Sequence, residues 1–354
     1  MSSFSKKILR WFDLHGRHDL PWQQAVTPYR VWVSEIMLQQ TQVKTVIPYY
    51  ERFMNRFPSI EVLAAASQES VLAHWSGLGY YARGRNLHKS AEMIVERFDG
   101  AFPTQWEDVL ALPGIGRSTA GAILSISLNQ RYPILDGNVK RVLSRYFALE
   151  GWAGERKNEQ FLWQQADALT PNKRFGDYTQ AIMDLGATVC TRSKPSCVSC
   201  PIREGCLAHQ QERVASFPFP KPKKEKPVKQ AFFLVLENTQ GQLWLQQRPQ
   251  KGIWGGLWSF PEYETRQHCL DYVSENEIST DTVQSLVEWS VFRHTFSHYH
   301  LDIVPMIVQG VNKHQIKCEG EWVCRQLLCQ GKAVLGIPAP VSKLVRLMRE
   351  SEYV

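Results

Sequence analysis

The sequence predicts a multidomain protein in which an all-α unit precedes a smaller α+β domain. Residues 104–145 read as two helical patterns joined by a glycine-rich turn. Residues 217–229 are rich in lysine and proline, which is typical of an extended linker. From Gln230 onward the hydrophobic pattern changes from a helical to an alternating period. We therefore expect a helical unit at 1–216, the linker, and a sheet-containing domain at 230–354.

Composition and charge restrict the class of protein. The 354 residues carry 41 Lys and Arg against 34 Asp and Glu. The excess lies in the first unit, with 25 against 20, and in the linker, with 5 against 1. This distribution favours a polyanionic partner for the first unit. No run of about 18 apolar residues and no signal-peptide core occurs, so we expect a cytoplasmic protein that spans no membrane.

The glycine-rich turn follows the first of the two helical patterns. Thr104 and Glu107 have capping-box spacing, which predicts a helix start at this point. The sequence LPGIG then ends the helix, because proline cannot continue it and Gly114 and Gly116 permit a tight reversal. A second helix is expected from Arg117, and its free backbone N–H groups could bind a phosphate. An ordinary helical turn is the alternative.

Two carboxylates lie at positions that suit a catalytic role. Glu35 lies in SEIMLQQTQV, where helical spacing would place Glu35, Gln39 and Gln42 on one face. Asp136 precedes a helical pattern, which predicts an N-cap whose backbone N–H bonds keep it ionised. A solvated surface charge and a plain helix cap are the alternatives.

Two further stretches combine unusual residue types. WSGLGYYARGR, residues 75–85, joins a glycine bend to aromatic residues and arginines, which suits a wedge into DNA or an ordinary inter-helix loop. Four clustered thiols in a chain with no signal peptide indicate a metal site, either zinc or an iron–sulfur cluster. These thiols belong to Cys190, Cys197, Cys200 and Cys206.

After the linker, several segments read as strands, with a hairpin turn at residues 238–241 and a closing helix at residues 342–349. His294, His298 and His300 could suggest zinc, but no fourth ligand is in view, and strand residues are the alternative.

These motifs together resemble one family. LPGIGRSTA resembles the hairpin of the endonuclease-III-like DNA glycosylases, and LDGNVKRV resembles the segment that carries their essential aspartate. The cysteine spacing resembles their 4Fe-4S loop, and LQQRPQKGIWGGLWSFPE resembles the entry to a Nudix fold. No glutamate-rich catalytic helix follows, so residues 230–354 are interpreted as a recognition domain and not as a second enzyme. Over nearly its whole length the chain resembles the MutY-type adenine glycosylases. The implied fold is multidomain, with all-α helix-hairpin-helix glycosylase domains and an iron-sulfur loop before an α+β Nudix-like domain.

The resemblance implies a monomeric enzyme that releases adenine opposite 8-oxoguanine or guanine in double-stranded DNA. Glu35 would protonate the base and Asp136 would stabilise the cationic sugar, with the pKa of Glu35 raised and that of Asp136 lowered. Lysine stands at the place of Ser118 in relatives that cut the strand, so strand cleavage is not expected. The four cysteines would hold a 4Fe-4S cluster.

Other binding roles are implied by the same resemblance. The hairpin glycines Gly114 and Gly116 would approach the DNA backbone. Phe296, Ser297 and His298 would contact 8-oxoguanine from a strand, with Ser297 on the face opposite its neighbours, although a plain surface serine is the alternative. Pocket or wedge roles are carried over to Gln40, Tyr80, Asn138 and Asp184.

Two other functions remain open at this stage. A DNA-binding protein could use the hairpin and cluster structurally, with incidental carboxylates. A glycosylase could instead remove thymine from a G·T mismatch, although relatives of that kind lack the Nudix-like tail.

Overall fold

A computed structural model describes residues 2–222, 225–278, 286–316, 318–330 and 335–350. Residues 223–224 of the predicted linker lie outside the described residues. The chain divides into two compact units. The first comprises Met1–Ala66 with Arg85–Lys223, and the second comprises Ser67–Gly84 with Lys224–Val354.

The first unit is helical, and α5 and the first residues of α6 belong to the second unit. The helices are α1 (Ser3–His15), α2 (Pro28–Leu38), α3 (Val43–Arg56), α4 (Ile60–Ala64), α5 (Gln68–Trp75), α6 (Ala82–Phe98), α7 (Trp106–Ala111), α8 (Arg117–Leu128), α9 (Gly137–Tyr146), α10 (Arg156–Leu169), α11 (Phe175–Asp184) and α12 (Leu207–Gln210). Leu185–Val189 continue α11 as a turn of π-helix.

The helix before the glycine turn begins later than expected. Its N-cap is Gln105, in an extended conformation and without a side-chain capping bond, so the predicted Thr104–Glu107 capping box is wrong. The Trp106 ring stacks on Tyr132, with ring centroids 4.5 Å apart, and this packing favours a start at Trp106.

The helix that carries Glu35 is shorter than the pattern predicted. It ends at Leu38, and Gln40 adopts the left-handed conformation with a φ of 57°. Glu35, Gln39 and Gln42 therefore do not share one continuous helix face, as the spacing had predicted. The polar block Gln39–Gln42 forms a turn between α2 and α3.

The core of the first unit determines where these helix ends lie. Helix α8 packs against both α2 and α11, and α9 packs against α11 and the π-helical turn. Ile123 and Leu124 of α8 and Leu143 of α9 are fully buried. This packing brings the end of α2 and the starts of α8 and α9 to one place.

The second unit is built on a mixed sheet. Strand β1 pairs in parallel with β7 and antiparallel with β2 and β4, while β5 and β6 pair with β7, and β3 and β8 pair with β2. The strands are β1 (Val228–Asn238), β2 (Gln242–Gln247), β3 (Trp258–Ser259), β4 (Glu262–Tyr263), β5 (Val287–Glu288), β6 (Phe292–Thr295), β7 (His300–Val311) and β8 (Glu321–Cys324). Three helices accompany them: α13 (Arg266–Glu275), α14 (Arg325–Cys329) and α15 (Ala339–Glu350).

Both faces of strand β1 are covered. Phe233 and Val235 belong to one apolar cluster, and Leu234 and Leu236 belong to a second cluster. A central strand buried on both faces explains the uninterrupted apolar run AFFLVL. The turn predicted at residues 238–241 is confirmed, and Asn238 Oδ1 accepts from the backbone N–H groups of Gln240 and Gln242 at 2.9 Å each.

Residues 67–84 group with the second unit through specific contacts. The Trp258 indole donates to Glu69 Oε1 at 2.7 Å. The Tyr81 hydroxyl donates to the carbonyl oxygen of Ile337 at 2.9 Å. Deleting residues 230–354 would leave both side chains without these partners, so single substitutions test this unit better than truncation does.

Among the described residues, none of the helices is both long enough and apolar enough to cross a membrane.

Candidate active site

The first unit contains a cavity of about 900 Å³ formed by the end of α2, the turn after it, and the starts of α8 and α9. Most of the site residues predicted for this unit line it. They are Glu35, Gln40, Gly116, Ser118, Asp136, Asn138 and Asp184.

Glu35 lies on the last turn of α2 and faces this cavity. Burial raises the pKa of its carboxyl group, and the negative charge of Asp136 raises it further, to about 8. A carboxyl group with this pKa is largely protonated at neutral pH. Glu35 can therefore donate a proton within the cavity.

Asp136 is the N-cap of α9, as predicted. One carboxylate oxygen accepts from the Val139 backbone N–H at 2.8 Å, and the other accepts from Asn138 Nδ2 at 3.2 Å. The predicted lowering of its pKa is nevertheless wrong. Desolvation raises the pKa above its ordinary value, and it outweighs the backbone hydrogen bonds and the charge of Arg141, which lower it.

The two carboxyl groups nevertheless differ in role. The charge of Asp136 is one of the causes that raise the pKa of Glu35, so Asp136 is the group that ionises first. The cavity therefore holds one carboxyl group that can donate a proton, Glu35, and a second one that ionises before it, Asp136. This is the pairing that glycosidic bond cleavage requires.

Arg141 is a residue that the sequence reasoning missed. Its Nη2 donates to Asn138 Oδ1 at 2.8 Å and to the Gly186 carbonyl at 2.7 Å, and its Nε donates to the Cys190 carbonyl at 2.7 Å. Asn138 in turn holds Asp136. The i, i+3 spacing of Asn138 and Arg141 on α9 could have predicted this contact from the sequence.

Asp184 lies in the cavity wall and is only 4% exposed. Arg17 binds its carboxylate through Nε at 3.0 Å, through Nη2, and through its backbone N–H at 2.8 Å. Gln23 and Gln180 also line the cavity and are hydrogen-bonded to each other. Sequence reasoning missed Arg17, Gln23 and Gln180, because only the tertiary fold brings them together.

The hairpin before α8 has the expected shape. Gly114 has a φ of 81°, and a Cβ there would lie 2.9 Å from Asn86 Cβ, so the position requires glycine. Gly116 is the N-cap of α8. Ser118 follows on the first turn of α8, and its hydroxyl accepts from the Leu135 backbone N–H at 3.0 Å. Ser118 thereby fixes the chain next to Asp136.

The four clustered cysteines line a second, smaller cavity together with Arg145. Arg145 is 2% exposed, its Nη1 donates to Cys190 Sγ at 3.2 Å, and its carbonyl oxygen lies 3.4 Å from Cys206 Sγ. Burial, followed by the neighbouring thiols, raises the pKa of Cys200 to about 11. Among the described residues, no group of His, Cys, Asp or Glu has an arrangement that could hold a metal ion.

Tyr80 belongs to the second unit. It is 56% exposed, has a φ of 49°, and lies under the Arg83 guanidinium, which is 5.5 Å from its ring centroid. The wedge role of Tyr80 stays a prediction.

A strand was predicted for Phe296, Ser297 and His298, and this prediction is wrong. They form the turn between β6 and β7, closed by a 2.9 Å hydrogen bond from the Phe296 N–H to the Tyr299 carbonyl. Ser297 and His298 are exposed, and Ser297 Oγ lies 3.3 Å from His298 Nδ1. The strand pattern was misleading because the chain reverses one residue after Thr295.

The chain matches known families in both of its parts. Residues 33–167 match the family described as HhH-GPD superfamily base excision DNA repair protein, and residues 232–347 match the NUDIX domain. The solved structure of a thermostable thymine-DNA glycosylase is 25% identical and covers 59% of this chain and 95% of its own, with a TM-score of 0.54. A non-covalent endonuclease III–DNA complex, 18% identical with a TM-score of 0.51, shows the same fold.

Two relatives match nearly the whole chain, and a third matches about three quarters of it. The adenine DNA glycosylase of Buchnera aphidicola subsp. Acyrthosiphon pisum (strain APS) is 42% identical and covers 99% of both chains. That of Buchnera aphidicola subsp. Schizaphis graminum (strain Sg) is 40% identical over 98% of this chain and 99% of its own. The adenine DNA glycosylase of Homo sapiens is 38% identical over 74% of this chain and 57% of its own. With Glu35 and Asp136 in one cavity and this similarity over nearly its full length, the chain belongs to the adenine DNA glycosylases, the DNA N-glycosylases of base excision repair with a helix-hairpin-helix domain and a Nudix domain.

Proposed function

We propose that this chain releases adenine mispaired with 8-oxoguanine or guanine in duplex DNA and does not cut the strand. It would act as a monomer in the cytoplasm. The observation that carries the proposal is the pair formed by Glu35, with its pKa raised to about 8, and Asp136, held at the start of α9. Membership of a glycosylase family argues against the alternative of a DNA-binding protein with incidental carboxylates.

In this proposal the target adenine leaves the duplex and enters the cavity. Glu35 transfers its proton to the base, which makes adenine a better leaving group, and afterwards accepts a proton from the attacking water. Asp136 faces the cationic sugar, and its negative charge stabilises the developing oxocarbenium ion. Gln40, Asn138 and Asp184, which also line the cavity, are proposed to shape the pocket.

The proposed absence of strand cleavage rests on Ser118. A hydroxyl cannot form the imine that links a lysine to the sugar in enzymes that cut the strand. The Ser118 hydroxyl is also occupied by the Leu135 N–H. Lys44 lines the same cavity and is exposed, so it is the amine that an experiment must control for.

The test uses end-labelled duplexes that carry A:8-oxoguanine, A:G or G:T. We expect alkali-labile sites in the first two duplexes, with faster release opposite 8-oxoguanine, and no break before alkali treatment. Release of thymine from the G:T duplex at a comparable rate would favour the alternative of a thymine glycosylase. The similarity to the structure of a thymine-DNA glycosylase is the reason for including this duplex. Borohydride should trap no covalent complex above the level seen with Lys44→Gln.

We also propose that Cys190, Cys197, Cys200 and Cys206 hold a 4Fe-4S cluster. They line one cavity, and the buried Arg145 cation beside them would offset the charge of thiolates. Four thiolates around one cavity are the ligand set that a 4Fe-4S cluster requires. The cluster would order the basic loop that contains Arg192 and Lys194 for contact with DNA.

Recognition of the opposite base is proposed for the turn of Phe296, Ser297 and His298. 8-Oxoguanine differs from guanine by an N7 hydrogen and an O8, so an exposed hydroxyl and imidazole could distinguish the two. Ser297→Ala should lower the ratio of adenine release opposite 8-oxoguanine to that opposite guanine. Ser274→Ala, an exposed serine of α13 in the same unit, should leave this ratio unchanged.

A further inference from the structure

Trp254 has an unusual backbone conformation beside the recognition turn, which we define as Phe296–His298. Its φ is 56°, in the left-handed region that bulky residues rarely adopt. It lies between Gly252 and Gly256, which also have positive φ values, of 99° and 73°. A large side chain held at such a position points to a function for its placement.

The Trp254 ring connects the core of the second unit to the recognition turn. On one side it meets Phe233, which is fully buried, with ring centroids 6.4 Å apart. On the other side it meets Phe296 at 5.2 Å and His294 at 5.6 Å. The Arg248 guanidinium lies over the same ring at 5.6 Å. Phe296 is therefore coupled to the core through Trp254, in addition to its contact with the buried Tyr299, whose ring centroid lies 4.6 Å away.

A linker lysine holds the same turn through its backbone. Lys226 Nζ donates to the Phe296 carbonyl oxygen at 2.8 Å. The next residue, Pro227, accepts a hydrogen bond from the His300 N–H at 2.9 Å, at the other end of the turn. The end of the linker therefore lies against this turn, whereas its composition predicted only an extended segment.

We propose that Trp254 and Lys226 are positioning residues for the recognition turn. Trp254 fixes the ring of Phe296, and Lys226 fixes its carbonyl group. Together they hold the Ser297 hydroxyl and the His298 ring where they meet the base opposite adenine. The inference rests on the proposed role of this turn in distinguishing 8-oxoguanine from guanine.

The physical reason lies in the exposure of the turn. Ser297 and His298 are exposed. Their side chains lie 3.3 Å from each other, and the His298 ring packs on Phe296 and Tyr299. Side chains of this kind depend on the backbone for their placement. A hydrogen bond distinguishes two bases only if its donor and acceptor are held in position before the base arrives.

The experiment measures single-turnover rates of adenine release by the full-length chain on A:8-oxoguanine and A:G duplexes. Trp254→Leu should lower the ratio of the two rates by roughly five- to tenfold, because an aromatic pair that orders the turn is lost. Trp254→Phe should restore most of the ratio. Lys226→Met keeps the aliphatic stem and should lower the ratio about threefold through loss of one charged hydrogen bond.

Matched controls separate positioning from general effects. Trp322→Leu removes another half-buried tryptophan of the same unit, one that packs on Trp244 at 5.4 Å and belongs to the other apolar cluster. It should reduce thermal stability without changing the ratio. Lys221→Met removes an equal charge from the linker. Lys221 Nζ lies 5.2 Å from the centroid of the Trp152 ring in the first unit, so this variant should also leave the ratio unchanged.

Two results would overturn the inference, and they are distinguishable. If Ser297→Ala lowers the ratio but Trp254→Leu, Trp254→Phe and Lys226→Met all keep it, the turn recognises the base without help from these residues. If Ser297→Ala also keeps the ratio, the recognition role of the turn fails and the inference fails with it. Should Trp254→Leu not fold, Lys226→Met decides the matter.

Discussion

Burial and the nearby charge of Asp136 raise the pKa of Glu35 to about 8, and both carboxyl groups line one cavity. The fold produces this relationship by placing the last turn of α2 opposite the start of α9. Burial is the largest cause at both groups, but Asp136 also accepts two hydrogen bonds that lower its pKa. Two carboxyl groups in one cavity therefore behave differently: Glu35 retains its proton, and Asp136 ionises before it.

The pH dependence of adenine release should be bell-shaped. Release requires protonated Glu35, so the rate should fall as the pH rises through about 8. It also requires ionised Asp136, so the rate should fall at low pH, below the raised pKa of that group. Single-turnover rates from pH 4 to pH 10 would show this, with DNA binding measured in the same buffers. A rate still rising at pH 9 would contradict the role of Glu35.

Glu35→Gln should bind mismatched duplex nearly as wild type does and release no detectable adenine. The amide preserves the shape of the side chain but has no proton to transfer. Binding would be followed by fluorescence anisotropy and release by alkali treatment. Gln39→Ala changes the residue that follows the end of α2 and serves as the control for local disturbance. Release by Glu35→Gln at the wild-type rate would exclude Glu35 as the acid.

The same substitution should stabilise the protein at alkaline pH. The folded state holds the Glu35 proton with a pKa of about 8, against about 4.5 in the unfolded chain. The stabilising contribution of this proton is therefore fully present below pH 4.5 and is lost as the pH rises through 8. Glu35→Gln removes this loss. Its free energy of unfolding should exceed that of wild type by roughly 1–3 kcal/mol at pH 9 and match it near pH 4.5, as urea denaturation would measure. An equal difference at both pH values would show that the effect is unrelated to the proton.

Asp136→Asn should fold normally but lose most of its activity. Asparagine is also a good N-cap, so the bond from the Val139 N–H can persist, while the negative charge opposite the sugar is lost. We expect adenine release to slow by at least about 100-fold. Thermal denaturation monitored by circular dichroism would check the fold. A well-folded variant with wild-type rates would remove Asp136 from the mechanism.

Protein purified without oxygen should contain about four iron and four sulfide per chain. Cys197→Ser should lose this iron and bind DNA more weakly, because the loop that the cluster orders would become flexible. Cys324→Ser changes a half-buried cysteine of the second unit and should retain the full iron content. Active protein that contains one zinc and no iron would rule out the cluster.

Local features were predictable because neighbouring residues encode them. The hairpin between α7 and α8 follows from proline and glycines within five residues, and the Asp136 cap follows from one residue and the helix after it. The Asn238–Gly241 turn belongs to the same class. The predictions that needed a helix or strand to extend further were wrong, because α2 ends at Leu38 and β6 ends before Phe296.

The sequence by itself therefore determined the family, the order of the domains, and the two carboxylates and four cysteines as candidates. The tertiary structure decided their electrostatics and their partners. The pKa of Asp136 is raised because distant segments exclude water from its carboxylate, which no local pattern records. In the same way, Arg17 reaches Asp184, and Trp254 reaches Phe296, only after residues far apart in the chain have packed together.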